Sequence, residues 1–138
     1  MARSRRESPP PERLILDSGA VIGLARADNR ARAFLARALE LDVPVEIPVV
    51  VVAETVRGGY SDAAVNRILK AVDEVSEANE TIGRIAGGLL GKARSSSTID
   101  ALVVAQAVYA GGAHILTSDP DDLELLAAPH PEVWIQAI

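Results

Sequence analysis

Leu14-Ile15-Leu16 is an unbroken aliphatic triplet, and a carboxylate, Asp17, stands directly after it. The triplet reads as a short buried strand, and Ser18-Gly19 then opens a second apolar segment with helical spacing. A charge at the carboxyl end of a buried strand is costly unless something pairs with it. In open α/β sheets that edge is where ligands bind. Two readings of Asp17 follow: a cap for the next segment, or one member of a site gathered at a sheet edge.

The rest of the chain alternates in the same way. Residues 20–27 are short and apolar, and Asp28-Asn29 caps an amphipathic helix over 30–41 with Phe34, Leu35, Ala38 and Leu39 on one face. Val43-Pro44 breaks it, and 45–47 reads as a second strand. Residues 48–56 are ambiguous. The run Val49-Val50-Val51-Val52 favours a strand by propensity, whereas Pro48 suits the first position of a helix.

Ser61-Asp62 caps a helix over 63–72, and a short strand fits 74–76. Residues 79–93 form a helix with Ile82, Ile85, Ala86, Leu89 and Leu90 inward. Gly83, Gly87, Gly88 and Gly91 weaken it by roughly 1 kcal/mol each relative to Ala, and read either as close-packing sites or as a loosened end. Residues 99–110 are apolar nearly all round, the pattern of a helix buried in the middle of a protein. A strand over 113–117, a short aspartate-capped helix over 121–127 and a last strand over 133–138 complete the order. Strands alternating with helices predict a single three-layer α/β/α domain, residues 14–138, around a mostly parallel sheet.

Composition narrows the function. The 138 residues suit one domain with a sizeable core, and there is no cysteine. That excludes disulfides and thiolate metal sites, and it suits a reducing cytoplasm, the compartment expected here. No apolar run approaches the roughly 18 residues of a membrane span. Residues 1–13 hold four arginines and three prolines without an apolar stretch, and are expected to be a flexible basic arm and not a secretory signal. The net charge is -5, and residues 14–138 alone hold 10 basic and 17 acidic residues. A broad nucleic-acid-coating surface is excluded by that balance. With Phe34, Tyr60, Tyr109 and Trp134 as the only aromatics, so is a base-stacking platform. Any contact with nucleic acid is local, at a phosphate.

Several acids occupy element ends. Glu54 lies in the apolar run 49–56, where it either reaches solvent or points inward. Asp100 closes Ser97-Thr98-Ile99-Asp100, which resembles a capping box with Asp in the Glu position, yet it stands at the mouth of the most apolar helix. Asp119 follows the strand 113–117 as Asp17 follows the first, and Asp121 and Asp122 crowd the same turn, one of them expected to cap the helix there. If the first and fourth strands are neighbours, both ends lie on one edge. Carboxylates so gathered raise one another's pKa. A hard divalent cation makes sense of them, and all-oxygen ligation selects Mg²⁺ or Mn²⁺ over zinc.

Four segments together resemble the PIN domain, and more narrowly a VapC-type toxin of a toxin–antitoxin pair. They are Leu14-Ile15-Leu16-Asp17-Ser18-Gly19-Ala20, Val52-Ala53-Glu54-Thr55-Val56-Arg57-Gly58, Ser97-Thr98-Ile99-Asp100-Ala101-Leu102-Val103-Val104-Ala105 and Ile115-Leu116-Thr117-Ser118-Asp119-Pro120-Asp121-Asp122-Leu123. The resemblance implies an acidic quartet of Asp17, Glu54, Asp100 and Asp119, with Glu54 on a helix, which decides the ambiguous run. It implies that Thr117 and Ser18 assist. In some relatives Asn replaces the acid at the place of Asp119 and the acid matching Asp122 gains weight, so the fourth ligand is Asp119 or Asp122.

The implied activity is a Mg²⁺- or Mn²⁺-dependent endoribonuclease that leaves a 5′-phosphate and a 3′-hydroxyl. His114 and His130 then read as structural or exposed. An antitoxin protein and a homodimer are the implied partners, besides the RNA substrate. Arg26, Arg84, Lys92 and Arg94, near element ends, are candidate phosphate contacts, each with solubilising charge as the alternative. A catalytically silent module that keeps the fold only to engage a protein is the rival reading. A receiver-type phosphoacceptor domain needs a strand-end lysine, and Lys70 and Lys92 are the only lysines. A haloacid-dehalogenase-type phosphatase needs an Asp where Gly19 stands.

Overall fold

The computed structural model describes residues 7–138. Five short strands form one parallel sheet: β1 (Leu14–Leu16), β2 (Val45–Pro48), β3 (Glu74–Ser76), β4 (Ala113–Thr117) and β5 (Val133–Ala137). Their spatial order is β3-β2-β1-β4-β5. The chain works outward from β1 through β2 to β3, then returns to the other side of β1 with β4 and β5. Strand order therefore reverses between β1 and β4, which pair in parallel with Leu14 opposite His114 and Leu16 opposite Leu116. In open α/β sheets a crevice forms at the carboxyl ends of the strands flanking such a reversal.

Right-handed crossovers fix the layers. Leaving β1 and β2 in one direction puts α1 (Ser18–Ala25), α2 (Asn29–Glu40), α3 (Val49–Thr55) and α4 (Ala63–Ala71) on one face. Returning in the other direction puts α5 (Glu80–Ala93), α6 (Thr98–Tyr109) and α7 (Pro120–Ala127) on the opposite face. Packing follows that division, with α1 against α2, α3 and α4, and with α5, α6 and α7 against one another. The two layers also meet where α3 touches α6. The expected three-layer α/β/α domain with a parallel sheet is the observed one.

Burial explains the elements. Ile15, Leu16, Ile115 and Leu116 are completely buried, as strands covered on both faces must be. Ala101, Val103, Val104, Ala105 and Ala107 of α6 are fully buried as well, so this helix sits in the interior, as its all-round apolar pattern predicts. Residues 49–55 are helical despite four consecutive valines. Pro48 ends β2 and occupies the N-cap of α3, and Val51 packs into the core.

Local capping departs from expectation in two places. Asp62 stands at the N-cap of α4 but makes no capping bond. Its carboxylate instead accepts from the backbone N–H groups of Arg57 (2.9 Å) and Gly58 (2.6 Å), bracing the turn that ends α3. The last helix begins at Pro120, so neither Asp121 nor Asp122 caps it; both lie in its first turn and Asp119 holds the N-cap position. The glycines of α5 have open space beside them, so close packing does not account for them.

The basic arm expected over residues 1–13 falls partly on residues 1–6, which lie outside the described residues. Within the described part, Ser8 Oγ lies 2.9 Å from His114 Nε2, and the ring of His114 stacks on Trp134. Arg13 donates to Glu46 at 3.2 Å. Glu46 is almost completely buried on β2, and no other ion pair to it occurs among the described residues. Removing one partner of a buried pair strands the other charge. Arg13→Ala is expected to cost about 2 kcal/mol, below the usual cost because Arg13 is a third exposed, as read by urea denaturation.

Candidate metal and phosphodiester site

The crevice at the β1–β4 reversal is where the acids gather. Asp17 ends β1, and its backbone N–H donates to the Leu116 carbonyl at 3.0 Å, which ties it to β4. It stands at the N-cap of α1, yet its side chain makes no capping bond. Instead Thr117 Oγ1, fully buried at the end of β4, donates to Asp17 Oδ2 at 3.0 Å. The same hydroxyl accepts from the Asp119 backbone N–H at 3.0 Å, so one threonine positions both strand-end acids.

The other Asp17 oxygen, Oδ1, is buried and has no hydrogen-bond partner. Buried polar atoms are rarely left so. Burial pushes the Asp17 carboxyl above the usual carboxylate range, against the opposing hydrogen bonds from Ser18 and Thr117, and the charge of Asp119 pushes the same way.

Asp100 enters from the opposite layer, in the first turn of α6. The capping-box alternative fails here, because Ser97 makes no side-chain cap bond. The Asp100 carboxyl is pushed up to about 6, first by burial and then by the charges of Asp17, Asp122, Glu54 and Asp119. Carboxylates from the end of β1, from α3 and from the start of α7 thus bear on Asp100 of α6. Glu54 rides the last turn of α3, exposed, and accepts from Ser18 Oγ at 3.1 Å. Asp119 and Asp122 are exposed as well.

These residues suit a hard cation. The donor set is all oxygen, one buried oxygen lacks a partner, and the mutual repulsion is what a divalent charge relieves. Among the described residues no three acidic or histidine side chains already converge on one point. The acids share a field without forming a closed cage.

Of the basic candidates, Arg26 lines a cleft with Gly19, two residues after Asp17, and with Ser118, which precedes Asp119. Arg84 is spent on an exposed ion pair with Glu80 at 2.7 Å. Lys92 lines a different cleft, with Leu125 and Pro129. Arg94 ends α5 in the left-handed conformation (φ 53°). The histidines lie away from the acids, His114 at the opposite end of β4 and His130 beside Glu132 at 3.2 Å.

One residue pair had no sequence signal. A Cβ on Gly19 would fall on the Ser118 hydroxyl and 2.9 Å from the Ser118 backbone N, so the first turn of α1 and the β4–α7 turn touch only because residue 19 is glycine. No sequence pattern encodes that approach, although the Ser-Gly after Asp17 permits it.

Residues 14–128 match the PIN domain family, and the chain belongs to it. Similar solved structures share its fold. One is VapBC2 from Rickettsia felis bound to a DNA fragment from their promoter, with 12% identity over 91% of this chain and 98% of the other, TM-score 0.72. A toxin–antitoxin complex from Klebsiella pneumoniae matches at 19% identity over 91% of this chain and 99% of the other, TM-score 0.67. FitAcB from Neisseria gonorrhoeae matches at 17% identity over 88% and 95%, TM-score 0.63. A search of curated protein sequences gave no match. Among the described residues no helix is long and apolar enough to cross a membrane.

Thr117 is the joint of the site, so its loss has a defined signature. Thr117→Val removes the donor to Asp17 and the acceptor for Asp119, and is expected to cost about 1–3 kcal/mol. Thr117→Ser keeps the hydroxyl and loses one methyl group, about 0.8 kcal/mol. Urea denaturation of the two variants separates the hydrogen bonds from the packing.

Proposed function

We propose that this PIN domain is a divalent-metal-dependent endoribonuclease and the toxin of a toxin–antitoxin pair. The observation that carries the reading is the buried, unpartnered Oδ1 of Asp17 beside an Asp100 carboxyl pushed up to about 6, first by burial and then by four neighbouring acids. An arrangement that costs stability without a cation is explained by a role that needs one.

In this reading Asp17, Asp100, Glu54 and Asp119 hold Mg²⁺ or Mn²⁺, with Asp122 as the alternative to Asp119. When bound, the ion supplies Lewis-acid polarisation of the phosphodiester and a lowered pKa for its water, so that hydrolysis leaves a 5′-phosphate and a 3′-hydroxyl. The protein's own work is positioning. Thr117 fixes Asp17 through Oδ2 and leaves Oδ1 directed at no protein donor. Ser18 holds Glu54 at the rim. Asp100 gives up its proton to act as a ligand, so affinity for the ion rises with pH through about 6. No histidine or lysine is required as a base. The partner reading, an antitoxin and a second copy of the chain, rests on the family resemblance and on the toxin–antitoxin complex among the similar structures.

The purified chain is expected to cut structured RNA in Mg²⁺ or Mn²⁺ and to stop in EDTA. Asp17→Asn and Asp100→Asn are each expected to lose about 10²-fold or more in rate, the scale of several kcal/mol of charge stabilisation. Cleavage that survives EDTA or either substitution would exclude the mechanism.

Stability gives a second, activity-free test. A carboxyl with a raised folded pKa contributes most below its unfolded value, near 3.8, and that contribution is lost as pH rises through about 6. In EDTA, Asp100→Asn is therefore expected to melt roughly a few degrees above the wild type at pH 7.5 and level with it near pH 4. Mg²⁺ at 100 times its Kd adds about 2.7 kcal/mol to the wild type, and less to the variant. A silent binding module shows no Mg²⁺ shift at any concentration.

A further inference from the structure

The face of α1 that carries Gly19, Ile22, Gly23 and Arg26 opens into a cleft of about 370 Å³, walled by Ser118, Asp28 and Ile138. The first four stand at i, i+3, i+4 and i+7, one side of the helix. The inner end of the cleft is Gly19, two residues after Asp17, and Ser118, which precedes Asp119. Arg26 lies at the outer end, about 10 Å along a helix that rises 1.5 Å per residue. The cleft therefore ends at one side on residues close in the chain to two of the acids and at the other on a cation.

Three features of the walls are unexplained by folding. Arg26 is exposed and its side chain makes no hydrogen bond or ion pair among the described residues. Its near neighbour Asp28 is committed to capping α2, accepting from the Ala31 N–H at 2.9 Å. Ile22 is 37% exposed although it stands on a mostly buried helix. Gly23 weakens α1, yet a Cβ there would meet Ala31 and Ile138 at 3.5 Å, ordinary contact that the fold tolerates. Glycine inside a helix that packing does not demand keeps the floor of the cleft low, as close approach of a ligand requires.

We infer that this cleft is a nucleotide subsite, receiving the ribonucleotide next to the phosphodiester held at the acids. This rests on the nuclease reading of the crevice. Arg26 takes the flanking phosphate in a charge-assisted contact. Ile22, Ile138 and the glycine floor take the apolar face of the base, and the Ser118 hydroxyl is the group within the cleft that can bond a ribose hydroxyl. The volume lies near the small end of ligand clefts, about 300–1,000 Å³, which suits one nucleotide and not a helix. A basic peptide is disfavoured because Arg26 repels its cation.

The test is binding of labelled single-stranded RNA in Mg²⁺, in the Asp100→Asn background that keeps the RNA whole, with wild-type cleavage assayed alongside. Arg26→Gln is expected to weaken binding about tenfold, the loss of one charge-assisted contact. It is also expected to lower the slope of log K against log salt by about 0.7. Ile22→Gln and Gly23→Leu weaken binding with the slope unchanged, and Gly23→Ala reports the fold by melting no lower than its parent. As the RNA is shortened one nucleotide at a time from either end, the Arg26→Gln difference disappears at one step.

An unchanged affinity or slope for Arg26→Gln, or a difference that persists down to the shortest RNA, overturns the subsite. If wild type cleaves but these effects are missing, the nuclease reading stands and the subsite falls. If the effects appear without metal-dependent cleavage, the nuclease reading falls and the cleft stands as an RNA site. Absence of any RNA binding overturns both.

Discussion

Asp17 stands 6% exposed between two parallel strands, with a hydroxyl on one carboxylate oxygen and nothing on the other. That position is imposed by topology. Because the strand order reverses between β1 and β4, the loops leaving these strands turn to opposite layers and leave a crevice that no backbone fills. The helices flanking the crevice bring in further acids, Glu54 on α3 and Asp100 on α6, and those two helices touch across the sheet edge. The raised Asp100 carboxyl reflects both the burial at that gap and the negative charge concentrated there.

The surrounding structure absorbs that charge by rigidity. Thr117 is fully buried and is bonded on both sides, to a side chain and to a backbone N–H. Its neighbours Ile115 and Leu116 pack completely inside the core. Asp17 cannot easily swing away from the strand end, whereas the side chains of Glu54, Asp119 and Asp122 are exposed and can. The crevice is therefore half fixed and half adjustable. Buried Asp17 sets where charge is needed, and the exposed rim adapts to what supplies it.

Strand and helix order was legible because each element buries an apolar stripe whose period survives in the sequence. The buried helix over residues 98–109 is the clearest case, since a helix apolar all round has only one place to go. Short-range side-chain bonds were less legible. Ser97, Asp17 and Asp62 all have the chemistry of caps, and none forms the capping bond; a tertiary hydroxyl holds Asp17 and turn N–H groups hold Asp62. The placement of Asp17 and Asp119 at adjacent strand ends was readable once β1 and β4 were assumed to be neighbours. The weight of Asp122 on Asp100, and the contact of Ser118 with Gly19, depend on distances between separate segments of the chain and left no trace in local pattern.

The charge balance of the chain, acidic outside its first residues, bears on how it could handle an anionic polymer. Nucleic-acid binding by counterion release needs many phosphate contacts on one face, and the described cations are not arranged for that. Arg84 is paired with Glu80, Arg13 with Glu46, and Arg37 with Glu40. Lys92 faces a separate cleft. Arg26, at the outer end of the cleft beside Gly19 and Ser118, is one positive charge about one helix length from a crevice whose own charge repels phosphate. Attraction and repulsion of that kind act over a single nucleotide's reach. If the crevice serves the proposed nuclease, a weak, shape-dependent hold on a short unpaired stretch follows from that balance, and the acidic remainder of the surface works against any broader hold on an anionic polymer.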